Sequence, residues 1–274
     1  MQMEEGHGDN RLGTGRLKMP SRKRRERRAQ KFFDQRRFRL LVENSKIWRS
    51  QFSKCFAPTW DCTNPAIRAH SIQNSRIIDL LARDGHVKMI EPVLRPGSLP
   101  RFRFNDVGRN RASAFEGFCT DHDQALFRRI DSDPLTAPDE QQLFLLAYRA
   151  ASRELHASFT AGANAQKSYE SSKSIGMPEE LRMSLGESAS VQFLQAWLVF
   201  CFRSHFDEDI VVRRYDRVRH RIFNFKTSVP TFAVSSMFAV AEPPPGGHHP
   251  SFVTLSVFPC VGDGDDGSFH LARL

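Results

Sequence analysis

Four residues of this 274-residue chain have the types and spacing of a metal centre. "CFAPTWDC" brings Cys55 and Cys62 into one short stretch, and "CTDH" places Cys119 three positions ahead of His122. A structural zinc takes nitrogen or sulfur ligands in a tetrahedron, usually as two sequence-local pairs. Cys119-x-x-His122 has the tight spacing of a pair on a turn entering a helix. The gap between Cys55 and Cys62 is wider than usual, and Pro58 and Trp60 inside it predict an extended knuckle. The competing reading is four unrelated buried residues, because free cysteine often behaves as a small hydrophobe. Cys201 and Cys260 fit that description, lying in apolar runs without ligand-like neighbours. Five cysteines, an odd number, argue against a disulfide framework and towards metal ligation or burial. His86, after the helix-ending Gly85, reads as a turn residue, with a fourth metal ligand as its alternative. His248 and His249 fall in a Pro/Gly loop.

The elements that must position these residues are legible as patterns. Ser21 can cap a helix that Phe32, Phe33, Arg36, Arg37 and Leu40 continue at helical spacing. "SRIIDLLARDG" predicts a short helix with Ile77, Ile78 and Leu81 on one face and Gly85 closing it. "HVKMIEP" and "PRFRFNDVG" alternate as strands, and "TDHDQALFRRI" reads as a helix after the second ligand pair. A long helix follows from about Asp139, with acidic residues in its first turn and Leu143 and Ala147 on one stripe. Residues 160–175 read as a loop or a solvated extension of that helix. "PEELRMSLGESASVQFLQAWLVFCFRSHF" is a second helical stretch, with Gly186 as its candidate break. "DIVVRRYDRV", "PTFAVSSMFAV" and "FVTLSVFPCV" then alternate as three strands, with "EPPPGGHHP" a loop between the last two. The terminal "FHLARL" predicts an incomplete last strand, hence a chain shortened at its C-terminus.

Composition bounds the function. Net charge is +9, which favours anionic partners, chiefly nucleic acid. Much of the excess lies in "RLKMPSRKRRERRAQKFFDQRRFRL", which should contact phosphates without sequence preference. Most of the 23 phenylalanines are read as core residues, since a ring without a polar tip gains most from burial. No apolar run is long enough to span a bilayer and the N-terminus lacks a signal-peptide pattern, so the expectation is a cytoplasmic protein with no membrane partner. A P-loop, a dinucleotide fingerprint, a Gly-x-Ser-x-Gly elbow and a His-Glu-x-x-His helix are all absent, which removes those enzyme classes.

A cysteine pair, then "AH" on an extended segment, then a Cys-x-x-His pair opening a helix resembles the treble-clef zinc fold of the HNH nuclease superfamily. The resemblance covers about residues 52–130. More narrowly, "RAHSIQNS…GHV", "FEGFCTDHDQALFRRID" and "EQQLFLLAYRA" resemble a group of uncharacterised bacterial proteins. The resemblance implies a structural zinc on Cys55, Cys62, Cys119 and His122, and His70 as general base. It implies Asp123 as ligand of a catalytic Mg²⁺ or Mn²⁺. The residue before the histidine, commonly a second metal ligand in that superfamily, is Ala69 here. Asn74, Asn105 and Asn110 are candidates for the orienting asparagine. For His70 a structural role, bonding backbone or replacing a misassigned zinc ligand, stands beside the catalytic one.

The resulting expectation is an α+β protein. Residues 1–19 are expected to be disordered, 20–51 to form a basic helix, and 52–130 to form the HNH-like zinc module. Helices occupy 131–207 and a small antiparallel sheet 208–274. The expected function is zinc-stabilised nucleic-acid binding with phosphodiester cleavage. The alternative is a non-catalytic zinc-bearing interaction module.

Overall fold

The computed structural model describes residues 23–24, 27, 35, 54–93, 101–135, 137–226, 231–240, 251–261 and 265–273. The expected disorder of residues 1–19 lies outside them. So does the basic helix of residues 20–51, apart from Lys23, Arg24, Arg27 and Gln35, which are helical and exposed.

Strand β1 (Ile67–His70) pairs antiparallel with β4 (Ala114–Phe118), with Ala69 opposite Phe115 and His70 opposite Ala114. Ser71 extends this pairing past His70, its N–H donating to the Ser113 carbonyl at 3.0 Å. Helix α2 (Thr120–Ser132) starts directly after β4, with Cys119 as its N-cap. Gly117 on β4 is required by close approach: a Cβ there would lie 2.5 Å from the Phe115 ring and 3.2 Å from Phe56.

Residues 71–113 are inserted between the two strands. They begin with a π-helical turn (Asn74–Ile78) running into α1 (Asp79–Leu81). The Gln73 side chain caps this piece by accepting from the Arg76 N–H. Asp84 and Gly85, both at positive φ, close it. A two-stranded ribbon follows, β2 (His86–Val93) paired antiparallel with β3 (Arg101–Gly108). Among the described residues its base is packed in a small cluster, where Val107, Val87 and Met89 meet Ile72, Ile78 and Ala112.

Helix α3 (Glu140–Ser172) opens on a capping box: Asp139 accepts from the Gln142 N–H and Gln142 returns the bond. It is continuous through the segment read as loop or solvated extension, and Gly162, Ala163 and Ser168 there are buried. Helix α4 (Glu179–Val211) packs back along it. The expected break at Gly186 does not occur. A Cβ at Gly186 would lie 3.3 Å from the Tyr169 ring, and one at Gly162 would lie 3.1 Å from Phe193. The glycines let the two helices approach rather than end them.

Four antiparallel strands complete the chain in the order β5-β8-β7-β6. They are β5 (Arg219–Lys226), β6 (Val234–Val240), β7 (Ser251–Val261) and β8 (Asp265–Arg273). The strand expected at "DIVVRRYDRV" is not there. Helix α4 runs on to Val211 because the buried Asp209 carboxylate collects Arg214 and Arg217, at 2.7 and 3.3 Å, and the chain turns at Arg213. The first strand follows that turn. The expected incomplete last strand is a nine-residue strand seated between β5 and β7.

The architecture is thus α+β, with helices and small antiparallel sheets. One core joins the cysteine-histidine region to the rest: Phe56, Phe118 and Phe127 pack with Tyr148, Leu155, Val199, Phe206 and Met237. No helix among the described residues is long and apolar enough to cross a membrane.

Candidate metal centre

Cys55, Cys62, Cys119 and His122 converge, with one ligand atom of each lying within 4.8 Å of all the others. Cys62 Sγ is 3.9 Å from Cys119 Sγ, and His122 Nδ1 lies 3.2 Å from Cys119 Sγ and 3.6 Å from Cys55 Sγ. Zinc–sulfur bonds of about 2.3 Å imply tetrahedron edges of about 3.8 Å, so this quartet can bind a metal such as zinc. His86 is not part of it; its Nδ1 lies 2.8 Å from the Asp84 carbonyl.

The wide gap in the first pair is a folded loop rather than an extended one. Trp60 N–H donates to the Ala57 carbonyl at 2.9 Å, and Trp60 takes a left-handed backbone, φ 60°. That conformation costs a non-glycine residue about 1–2 kcal/mol, so its side chain must be well held. Its Nε1–H donates to Asp207 Oδ2 at 3.1 Å, and the Phe56 and Phe200 rings lie 5.5 and 5.2 Å away. The Arg203 guanidinium stacks over the Trp60 ring at 4.9 Å. Arg203 is fully buried, pairs with Asp207 at 3.0 Å, and donates to the Phe56 carbonyl and the Tyr148 hydroxyl. Tyr148 donates to Asp207 at 2.8 Å. Burial raises the Asp207 carboxyl, while Arg203 opposes that shift. A buried ion pair on α4 thereby clamps the loop that carries Cys55 and Cys62.

The second pair is placed by the start of α2. The Cys119 N–H donates to Cys55 Sγ at 3.3 Å. Burial pushes the Cys55 thiol up to about 11. Burial opposes ionisation of Cys119 too, but hydrogen bonds with the His122 backbone and ring and with the other two thiols bring it down to about 7. Metal binding must therefore expel protons, which ties affinity to pH.

His70 and Asp123 lie on the elements that flank this quartet, the end of β1 and the first turn of α2. His70 Nε2 and Asp123 Oδ1 are both buried without a hydrogen-bond partner among the described residues. Burial lowers the pKa of His70; hydrogen bonds to the backbone of Arg109 and Asn110 oppose this, and the Arg149 charge adds to it. Burial raises that of Asp123, with Arg149 opposing and Asp131 adding to the shift. Arg149 and Asp131 thus act on both. They form a bidentate pair at 2.7 and 2.7 Å, with the guanidinium 4.1 Å above the Phe127 ring. On α2, Asp123, Phe127 and Asp131 succeed one another at four-residue steps, so this face looks towards Arg149 on α3.

Of the asparagines, Asn74 donates to the Asn110 side chain at 3.1 Å, whereas Asn105 sits on the ribbon and donates to Glu91 at 2.9 Å. Sequence reasoning missed Arg149, Arg203 and Asp207. A signal existed for the last two, since a charged pair at i, i+4 inside the apolar run "LVFCFRSHFD" is better paired than solvated. Arg149 carries no such mark. No protein-family model, no curated protein and no solved structure matches this chain.

Proposed function

We propose that this is a zinc-stabilised nucleic-acid-binding protein whose treble-clef, HNH-like module cleaves phosphodiester bonds. The observation that carries the reading is the pair of buried, unpartnered acceptors, His70 Nε2 and Asp123 Oδ1, under one shared Arg149–Asp131 pair. Cys55, Cys62, Cys119 and His122 would hold a zinc ion that ties the loop to the start of α2. His70, kept neutral by burial, takes a proton at Nε2 from a water attacking phosphorus. Asp123 would hold a hard cation such as Mg²⁺ or Mn²⁺, which supplies positive charge against the phosphate in the transition state. The basic run within residues 16–40 adds phosphate contacts without sequence preference.

The test is plasmid nicking by the purified full chain with Mg²⁺ or Mn²⁺. His70→Ala should slow nicking by about 10²- to 10⁴-fold while zinc content and melting temperature stay close to wild type. Asp123→Ala should also abolish nicking, with partial recovery at high Mn²⁺. The second reading, a zinc-bearing interaction module without catalysis, is favoured by one feature. Ala69, 3% exposed, stands beside His70 where a second cation ligand would serve. Wild-type protein that nicks under no divalent cation, or a His70→Ala variant that sheds zinc, selects that reading.

A further inference from the structure

The β2–β3 ribbon is an element that neither the zinc quartet nor the His70–Asp123 site requires. Its register places Ile90 opposite Phe104, and these share a face with Phe102. That face is open: Ile90, Phe102 and Phe104 are 61%, 71% and 68% exposed. Large apolar side chains left this exposed mark a contact surface rather than a core, although among the described residues Thr231, Phe232 and Ala233 line a cavity with Phe104. The opposite face of β3 at the same level carries Arg101 and Arg103, which have no acidic partner among the described residues. The ribbon therefore offers rings on one side and, on the other, two guanidinium groups beside a single carboxylate, Glu91 opposite Arg103, which suits a ligand with flat apolar faces strung on an anionic backbone. Its foot, at Gly108, leads into the strand pairing of the candidate site: the Ser113 carbonyl accepts from the Ser71 N–H at 3.0 Å, and Ala114 stands opposite His70. At about 3.4 Å per residue, Phe104 and Phe102 stand about 14 and 20 Å along the ribbon from that foot.

We propose that the ribbon is a nucleic-acid-binding arm that stacks Phe102 and Phe104 against unstacked bases while Arg101 and Arg103 contact phosphates, feeding a strand towards His70. The proposal rests on the nucleic-acid reading above, but not on cleavage. Successive rings on one strand face lie about 6.8 Å apart, twice the about 3.4 Å rise of a stacked base. Aromatic stacking tolerates any base, so the arm would show little sequence preference.

The experiment is fluorescence anisotropy of short labelled oligothymidylate, oligouridylate and a duplex. It uses zinc-loaded full-length protein without added divalent cation, so that cleavage plays no part. Phe102→Ala and Phe104→Ala should each weaken single-strand binding about 5- to 150-fold at every salt concentration, with the salt slope unchanged. Arg101→Ala with Arg103→Ala should instead flatten the slope by about 0.7 per lost contact. The duplex arm should lose less than the single strands. Because all four side chains are exposed, the variants should melt with wild type. Binding by the phenylalanine variants within about twofold of wild type overturns the proposal, as does a wild type that binds none of the three probes. Two further outcomes also overturn it if oligonucleotide binding is retained. One is a change in sedimentation from dimer to monomer. The other is loss of binding to vesicles of phosphatidylcholine and phosphatidylserine. Plasmid nicking on the same preparations separates the two ideas: variants that lose binding in a chain that never nicks leave the arm standing and remove the nuclease.

Discussion

Burial holds the pKa of His70 below its ordinary 6.5, and the Arg149 charge adds to that shift. A general base works only when neutral, so the rate should rise with pH through a pKa below 6.5 and then level. A pH profile of plasmid nicking reads this directly; an acid limb centred above 6.5 would assign the base elsewhere. Arg149→Leu should move the limb to higher pH. It removes a positive charge that disfavours imidazolium and leaves Asp131 to favour it. The same change breaks the bidentate pair with Asp131. Losing one partner of a buried pair costs about 3–5 kcal/mol. Because the Asp131 side chain is 33% exposed, the lower end of that range is expected in urea denaturation. A variant that loses stability and keeps the wild-type limb would make Arg149 a packing residue alone.

At the scale of elements, α4 reaches the candidate metal centre without supplying one of its four residues. Arg203 and Asp207 hold Trp60 and the Phe56 carbonyl, and so set the path between Cys55 and Cys62. Arg203→Met should destabilise the fold by about 3–5 kcal/mol, because Asp207 is left buried without its cation. It should also weaken zinc binding, although Arg203 touches no ligand. Competition with a chromogenic chelator measures the second effect. Unchanged zinc affinity in a destabilised variant would show that the loop holds its shape without the clamp.

At the scale of the molecule, the candidate metal centre and the helices share one core, with Phe56 and Phe118 packed beside Tyr148 and Phe206. Metal binding and folding are coupled wherever a site does not exist in the unfolded chain. Cys119→Ser or chelation should therefore lower the melting temperature of the whole chain in a single transition. Two separated transitions in calorimetry, with only one responding to zinc, would show that the cysteine-histidine region melts by itself. The charge distribution makes a separate demand. Deleting residues 1–30 should weaken nucleic-acid binding for every sequence and flatten its salt dependence. An unchanged slope places the phosphate contacts elsewhere, with Arg101 and Arg103 the next residues to test.

What the sequence determined by itself was local. Cys119 and His122 are three positions apart, and Asp139 and Gln142 form a capping box at the same spacing, so a single turn brings each pair together. Strands β2 and β3 alternate visibly, and Gly85 marks the turn before them. Where local cues competed, they misled. The alternation of "DIVVRRYDRV" suggested a strand in a segment whose helix runs past the buried Asp209 to Val211. Gly186 suggested a break where a neighbouring ring needs the space. Only the tertiary structure decided that Cys55 meets His122 across 67 positions and that Trp60 is held by Asp207 across 147. It alone set Arg149 against Asp131 near His70 and Asp123 and placed β8 between β5 and β7. The physical reason is range. Turns, caps and alternation are settled by backbone geometry within a few residues. A buried ion pair or a strand order instead depends on which distant side chains satisfy one another once water is excluded.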